Sequence, residues 1–323
     1  MESTELSIID LDESMLGDLS RLSQSAGWNQ TPADWSMMLA MGHGWGIRDT
    51  VAGSTMIVAS AMVLPYPSSQ AWISMVLVLP AHRRRGLASR LMQQAMQALE
   101  NRGLSAWLDA TQAGQPVYER LGFTGFGRFS RWSGPAATPA RTQPITPVDP
   151  GLAAPAGGIT MMGQEDLGAV AALDSHSFGA DRLAMLTALR ERTPWLAMCH
   201  RNGEGLTGFA LGRDGTQALQ IGPVVARDAL TAQMLLRAAH EQTAMQTRFD
   251  TVYVDLPECF GSLARQLQAL GFKPQRSFLR MMRPGGAGSH TGPPAIGDPL
   301  SDNDHNQCER IATAFVIAGP ELG

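Results

Sequence analysis

Two halves of this chain carry the same order of short landmarks, and that repetition constrains the fold more than any other feature. Leu108-Asp109-Ala110 recurs as Val254-Asp255-Leu256, and Leu121-Gly122-Phe123 recurs as Leu270-Gly271-Phe272. The offset of about 147 residues points to duplication of a whole domain. A length of 323 residues agrees with two domains. Two stretches rich in Pro, Gly and Ala leave little to bury, Ser133 to Gly158 and Pro284 to Pro299. The predicted organisation is a first domain over 1–132, a linker over 133–158, a second domain over 159–283, and a linker with a C-terminal tail over 284–323. Within that tail, the apolar run Ile311 to Ile317 requires burial, for which an added strand is one arrangement.

The pattern within the first half is mixed α/β. A strand around Glu5 to Asp10 precedes a helix through Leu16 to Ala26. A second helix starts near Pro32, with Thr31 as its N-cap. Strand-like stretches follow at Trp45 to Arg48 and Met56 to Leu64. Trp72 to Leu79 is dense enough in apolar and β-branched residues for a buried central strand. After Gly86, Leu87, Leu91, Met92, Ala95, Met96 and Leu99 recur at helical spacing, and Gly103 suits a left-handed C′ position. Strand Ala106 to Ala110, helix Pro116 to Leu121 and strand Phe126 to Trp132 complete a sheet with one strand–helix–strand crossover. In the second half, Leu219 to Val225 matches the central strand and Ala229 to about Met245 matches the helix after it.

Charge narrows the partners. The net charge is −4 with no block of like charge, so nothing calls for nucleic acid or an anionic membrane. Lys273 is the only lysine among 25 basic residues, a pattern of coding bias in a GC-rich genome rather than a functional signal. Cys199, Cys259 and Cys308 have neither metal-site nor disulfide spacing, and no metal is expected. The acidic start MESTELSIIDLDE lacks the features of a signal peptide, so a reducing cytoplasm is the expected setting.

The segment most explicit about chemistry runs from Val76 to Ser89. A buried strand (Val76, Leu77, Val78) ends at Leu79-Pro80, a loop with Arg83, Arg84 and Arg85 follows, and a helix opens with Gly86, Leu87, Ala88 and Ser89. Unpaired N–H groups and the positive end of the dipole make such a helix start an anion site. Gly86 and Ala88 let a pyrophosphate approach the backbone, and arginines supply donors matched to phosphate oxygens.

Arg83-x-x-Gly86-x-Ala88, following Val78-x-Pro80, resembles the Q/R-x-x-G-x-G/A signature of the GNAT N-acetyltransferase superfamily. Tyr118-Glu119-Arg120-Leu121-Gly122-Phe123 resembles the Y-E-K-L-G-F segment that closes its cores. The whole chain resembles bacterial tandem-GNAT proteins with a degenerate second acetyltransferase-like domain. The segments supporting this are Gly27-Trp28-Asn29-Gln30, Phe178 to Arg182, Gly222 to Val225, Val254 to Pro257 and the ending Gly319 to Gly323. The resemblance implies acetyl-CoA as co-substrate. It implies pantetheine pairing at Val76, Leu77 and Val78, and pyrophosphate binding at Arg83, Arg84, Arg85, Gly86, Leu87, Ala88 and Ser89. It also implies Tyr118 as the general acid for the departing thiolate. An asparagine common in that family is absent, since the chain reads Thr111-Gln112-Ala113-Gly114-Gln115. The general base stays open among Asp109, His43 and His82.

The second half lacks this loop. Its Ile221-Gly222-Pro223-Val224-Val225-Ala226-Arg227-Asp228 places a carboxylate at the helix start, and the position matching Tyr118 falls near Leu267. It is therefore expected not to bind acetyl-CoA in the usual way, but to help enclose an acceptor. Asp181 and Arg182 either recognise a zwitterionic or amino acceptor or form a local ion pair or cap. Trp28 and Trp35 either line a pocket or pack in the core. The leading expectation is acetyl transfer to a primary amine of a small molecule. Alternatives are a protein or peptide N-acetyltransferase and a non-catalytic CoA-responsive module.

Overall fold

The computed structural model describes residues 5–51, 54–67, 70–138, 157–246, 248–285 and 314–322. The first half runs β1 (Glu5–Asp10), α1 (Leu16–Ser25), α2 (Pro32–Met41), β2 (His43–Val51), β3 (Ser54–Tyr66), β4 (Gln70–Val78), α3 (Leu87–Glu100), β5 (Ser105–Thr111), α4 (Gln115–Arg120) and β6 (Thr124–Pro135). The second half repeats that order: β7 (Gly158–Met161), α5 (Leu167–Phe178), α6 (Leu183–Arg192), β8 (Met198–Asn202), β9 (Gly205–Arg213), β10 (Leu219–Ala226), α7 (Ala229–Gln242), β11 (Thr251–Pro257), α8 (Gly261–Ala269) and β12 (Lys273–Arg283). A last strand, β13 (Ala314–Val316), belongs to the tail.

Local signals account for most of these elements. Thr31 caps α2 with Pro32 in the first turn. Asp34 completes a capping box, its carboxylate accepting from the Thr31 N–H at 2.6 Å. In α3 the predicted stripe Leu87, Leu91, Met92, Ala95, Met96 and Leu99 is buried against the sheet. Each fully buried leucine or methionine there contributes roughly 1.5–3 kcal/mol. β2 and β3 are longer than their apolar stretches suggest, because ladder pairing carries them on through polar residues at both ends. β6 likewise takes up Ser133, Gly134 and Pro135 from the low-complexity stretch, pairing them with Tyr253, Val252 and Thr251.

All strands join one mixed 13-stranded sheet in the order β1-β2-β3-β4-β5-β12-β6-β11-β10-β9-β8-β7, with β13 on β10. The centre of that order was not expected. β5 pairs with β12 of the second half, and β11 pairs with β6 of the first. Each half lends its last strand across a pseudo-twofold axis between β6 and β12. Phe129 and Phe278 face each other in register there and stack at 4.8 Å with an 11° interplanar angle.

The exchange is held by a repeated ion pair. Asp109 on β5 lies opposite Arg280 of the lent β12, and both carboxylate oxygens accept from its guanidinium at 2.9 Å. In the other half Asp255 lies opposite Arg131 of the lent β6, with contacts of 2.8 and 2.7 Å. Gln220 also donates to Asp255. These forks bury charge against charge with complementary planar geometry. On one face of the sheet, α1 and α2 share a core with α5 and α6, where Leu22, Trp35 and Met38 join Leu186, Leu189 and Phe209. Trp35 is thus a core residue, its Nε1 donating to Ser23 Oγ.

Removing the Asp255 carboxylate leaves the fully buried Arg131 charge without its partner. Urea denaturation of Asp255→Ala should show a loss of about 3–5 kcal/mol, and adding Arg131→Met should restore much of it. A single variant as stable as the parent would show that the pair does not hold the exchange.

Candidate active site

The site begins where β4 and β5 part. These parallel strands pair only through Gln70, Ala71 and Trp72 with Ser105, Ala106 and Trp107. Further along β4 a bulge intervenes: Met75 has a φ of 50°, and the register against β3 shifts between Ser60 and Met62. Ser60 Oγ donates to the Met75 carbonyl at 2.8 Å and secures the bulge. On the β5 side, residues 76–78 therefore face a gap rather than a strand, and their main chain is available to a ligand.

At the end of β4, Pro80–His82 makes one turn of 3-10 helix and Arg84 adopts a φ of 61°. Gly86, with a φ of 74°, is the N-cap of α3. A Cβ on Gly86 would meet no protein atom within 4 Å, so the space before the helix is clear. No side chain caps α3 and no acidic residue occupies its first turn, which leaves its N–H groups to an incoming anion. Arg83 Nε donates to the Val78 carbonyl at 3.2 Å, joining the basic loop to the strand end.

Tyr118 stands on α4, directly after β5. Its ring meets Phe123 edge-on at 6.1 Å, and burial pushes the phenol up to about 12. By solvent exposure the residue is half-buried rather than packed out of reach.

One cavity of about 660 Å³ collects these groups. Of the residues singled out from the sequence, Trp28, residues 76–78, Arg83, Arg84, residues 86–89 and Tyr118 line it. Arg85 is exposed and lies outside. So do Asp181, whose carboxylate accepts from the Leu183 N–H, and Arg182, which forks onto Asp174 and covers the Phe178 ring at 3.9 Å. Trp28 is positioned by the loop that Asn29 ties to the second half, through the Ala218 carbonyl and the Gln217 and Ala218 N–H groups. Asp109 lines the cavity, but Arg280 engages both its oxygens. Burial pushes its carboxyl up, with the Arg280 charge opposing. His82 also lines it, its Nε2 2.8 Å from Asp49. His43 lies outside, beside Asp10.

Further wall residues to which the sequence assigned no role include Gln30, Ser74, Arg131, Arg276, Phe278 and Glu321. Arg131 and Phe278 arrive on the exchanged strands. Glu321 arrives on the tail, fixed by Tyr66 donating to the Leu322 carbonyl at 2.9 Å and Trp72 Nε1 donating to Pro320 at 2.9 Å. The one sequence signal for Glu321 was the family-like ending Gly319 to Gly323. Arg276 had none.

The same parting of strands occurs in the second half, where β10 pairs with β11 only through residues 219–221. There the gap is filled. β13 pairs with β10 through Val316 opposite Val224, and the Ile317 N–H donates to the Asp255 carbonyl at 3.1 Å. The fit is close: a Cβ on Gly222 would lie 2.1 Å from the Ile317 carbonyl oxygen. The apolar run in the tail is thus an added strand where it is described, over 314–317, while residues 286–313 and the linker residues 139–156 lie outside the described residues. Asp228 caps α7, accepting from the Thr231 N–H at 2.8 Å, so that helix start is satisfied internally.

A bulged, splayed central strand in a mixed sheet thus meets an uncapped helix start at this cavity. Residues 21–123 match the acetyltransferase (GNAT) family, and residues 170–290 match an acetyltransferase (GNAT) domain. The chain belongs to the GNAT acetyltransferases, as a tandem of two such domains, and is an acyltransferase. It is 26% identical over 269 residues to the uncharacterized N-acetyltransferase YitH of Bacillus subtilis, spanning 82% of this chain and 87% of that protein. In fold it is similar to a putative acetyltransferase from Pyrococcus horikoshii (TM-score 0.70, 17% identity, 100% and 99% of the two chains). It is also similar to a tandem GNAT protein from the clavulanic acid biosynthesis pathway (TM-score 0.55, 16% identity, 87% and 99%). Among the described residues no helix is long and apolar enough to cross a membrane.

The tail strand should carry measurable stability. Phe315 is fully buried with its ring 4.6 Å from Phe260, so Phe315→Ala should cost about 3–5 kcal/mol in denaturant unfolding. A negligible change would mean that the gap beside β10 is not filled in solution.

Proposed function

We propose that this enzyme transfers the acetyl group of acetyl-CoA to a primary amine of a small molecule. Donor binding falls to the segment 1–132. The segment 159–283 forms the degenerate unit, with 133–158, less the residues that β6 and β7 take up, as linker and 284–323 as linker and tail. The observation that carries this reading is the continuity of one cavity. It runs from the α3 start, past residues 76–78 and Tyr118, to a wall made by the second half and the tail.

In this reading the pyrophosphate lies on the N–H groups of residues 86–89, with Arg83 and Arg84 adding charge. The pantetheine pairs with the free edge of residues 76–78, which also holds the acetyl carbonyl. The neutral amine attacks the carbonyl carbon through its nitrogen lone pair, and the C–S bond breaks as the intermediate collapses. Tyr118 donates its proton to the sulfur as that bond breaks. The proton shed by the nitrogen passes through solvent to restore the Tyr118 phenol. Its raised pKa suits the role, because the phenol is protonated throughout the neutral range. A wall formed by Arg131, Phe278 and Glu321 bounds one side of the cavity, which supports a small acceptor over a protein chain.

Tyr118→Phe should lower kcat by about 100-fold while leaving the KM for acetyl-CoA nearly unchanged. The acid form is lost only as pH approaches about 12, so the parent enzyme should show no alkaline fall in kcat from this group in the ordinary assay range. An unchanged kcat in the phenylalanine variant would remove Tyr118 from the reaction. Separately, Gly86→Glu places a carboxylate where the pyrophosphate binds. Calorimetry should then detect no acetyl-CoA binding, with a melting curve confirming that the variant is folded.

A further inference from the structure

At the acceptor end of the cavity two opposite charges lack a full set of partners. Glu321 is buried and gives Oε1 to the Arg213 guanidinium, but its Oε2 is closed off from solvent and accepts no hydrogen bond. Arg213 is shared with Asp34, and its own Nε is also buried without a partner, so it is not directed at Oε2. A buried carboxylate oxygen without a donor is unfavourable, and a ligand N–H in the cavity relieves it.

Arg276 is the complementary case. Its Nε is buried with no hydrogen-bond partner, and it forms no ion pair among the described residues. Its guanidinium lies 5.2 Å from the Phe278 ring centroid. Its strand neighbour is Arg131, whose charge Asp255 already takes up. Burial, reinforced by Arg131, pulls Arg276 below the usual arginine range, as expected of a cation awaiting a counter-ion. Nor does the sheet need Arg276. Arg131 pairs in register with Arg276, whereas its counterpart Arg280 pairs with Gly127, so a glycine occupies the equivalent place in the other half. Glu321 likewise has no counterpart in the duplicated frame, since it belongs to the tail.

Building on the acetyl-transfer reading above, we propose that the acceptor is an amino carboxylate: a small molecule bearing both the primary amine and a carboxylate. Glu321 Oε2 accepts a hydrogen bond from the amine N–H, and Arg276 binds the carboxylate. Trp28 and Phe278 offer apolar surface for the carbons between them. Donor phosphates do not compete for Arg276, because the α3 start with Arg83 and Arg84 serves them. Both residues act here as specificity determinants at one site.

The test is a thiol-release assay with acetyl-CoA over a panel of free α- and ω-amino acids, each beside its carboxamide and its decarboxylated amine. At least one amino acid should exceed its carboxamide by roughly tenfold or more in kcat/KM, since a site built for a charged group rejects the analogue lacking it. In Arg276→Gln that ratio should fall to about one. Glu321→Gln keeps the side-chain volume, and should lower kcat/KM for acid and amide alike by roughly tenfold. Amines without a carboxylate turning over as well as the amino acids, or a ratio unchanged in Arg276→Gln, would overturn this inference and leave acetyl transfer standing. No turnover of any amine, with acetyl-CoA binding intact by calorimetry, would instead overturn acetyl transfer to a small amine, and this inference with it.

Discussion

The forked pairs Asp109–Arg280 and Asp255–Arg131 are the interaction on which the rest of the molecule depends. Each joins an aspartate at the centre of one half to an arginine on a strand from the other. A buried ion pair is weak evidence of net stability against an apolar alternative, but it is demanding about geometry. Here the demand falls on register. A slip by one residue would turn each arginine to the opposite face of the sheet and leave two carboxylates buried without partners. The stacked Phe129 and Phe278 sit between the two forks and report the same register.

Around that symmetric centre the two halves use one geometric device differently. In both, a pair of parallel strands separates after a short ladder and leaves a gap bordered by main-chain groups. In the first half the gap opens into the cavity, and the adjoining helix start has no cap. In the second half the tail strand occupies the gap, and Asp228 closes the helix start. Buried main-chain groups must be satisfied somehow, and in the second half the occupant is internal. The same tail then continues toward the first cavity and contributes Glu321 to its wall. Filling one site and finishing the other are consecutive acts of a single segment.

What could be read in the sequence follows from how local each feature is. The loop from Val76 to Ser89 is contiguous, so strand end, basic turn and helix start could be recognised together, as could the Thr31 cap and the α3 stripe. The mixed α/β class and the tandem arrangement followed from the repeat. The repeat was silent on which half receives each last strand, because exchanged and unexchanged pairings satisfy the same apolar pattern. The far wall of the cavity was illegible for a related reason. Gln30, Arg131, Arg276 and Glu321 lie on four separate stretches and meet only through the exchange and the tail. Asp181 and Arg182 drew attention as an adjacent charged pair. Arg182, however, turns inward to Asp174, a partner eight residues earlier on α5.

The crossing of β6 and β12 also bears on how such a gene can change. A second copy whose strand gap is filled by its own tail would ordinarily be free to erode or disappear. This one supplies the strand that completes the neighbouring sheet and the arginine that neutralises Asp109. Deleting it would bare the edge of β5 and leave a charge in the interior of the surviving half. The two copies are thereby locked together by their architecture, whatever chemistry the second one carries.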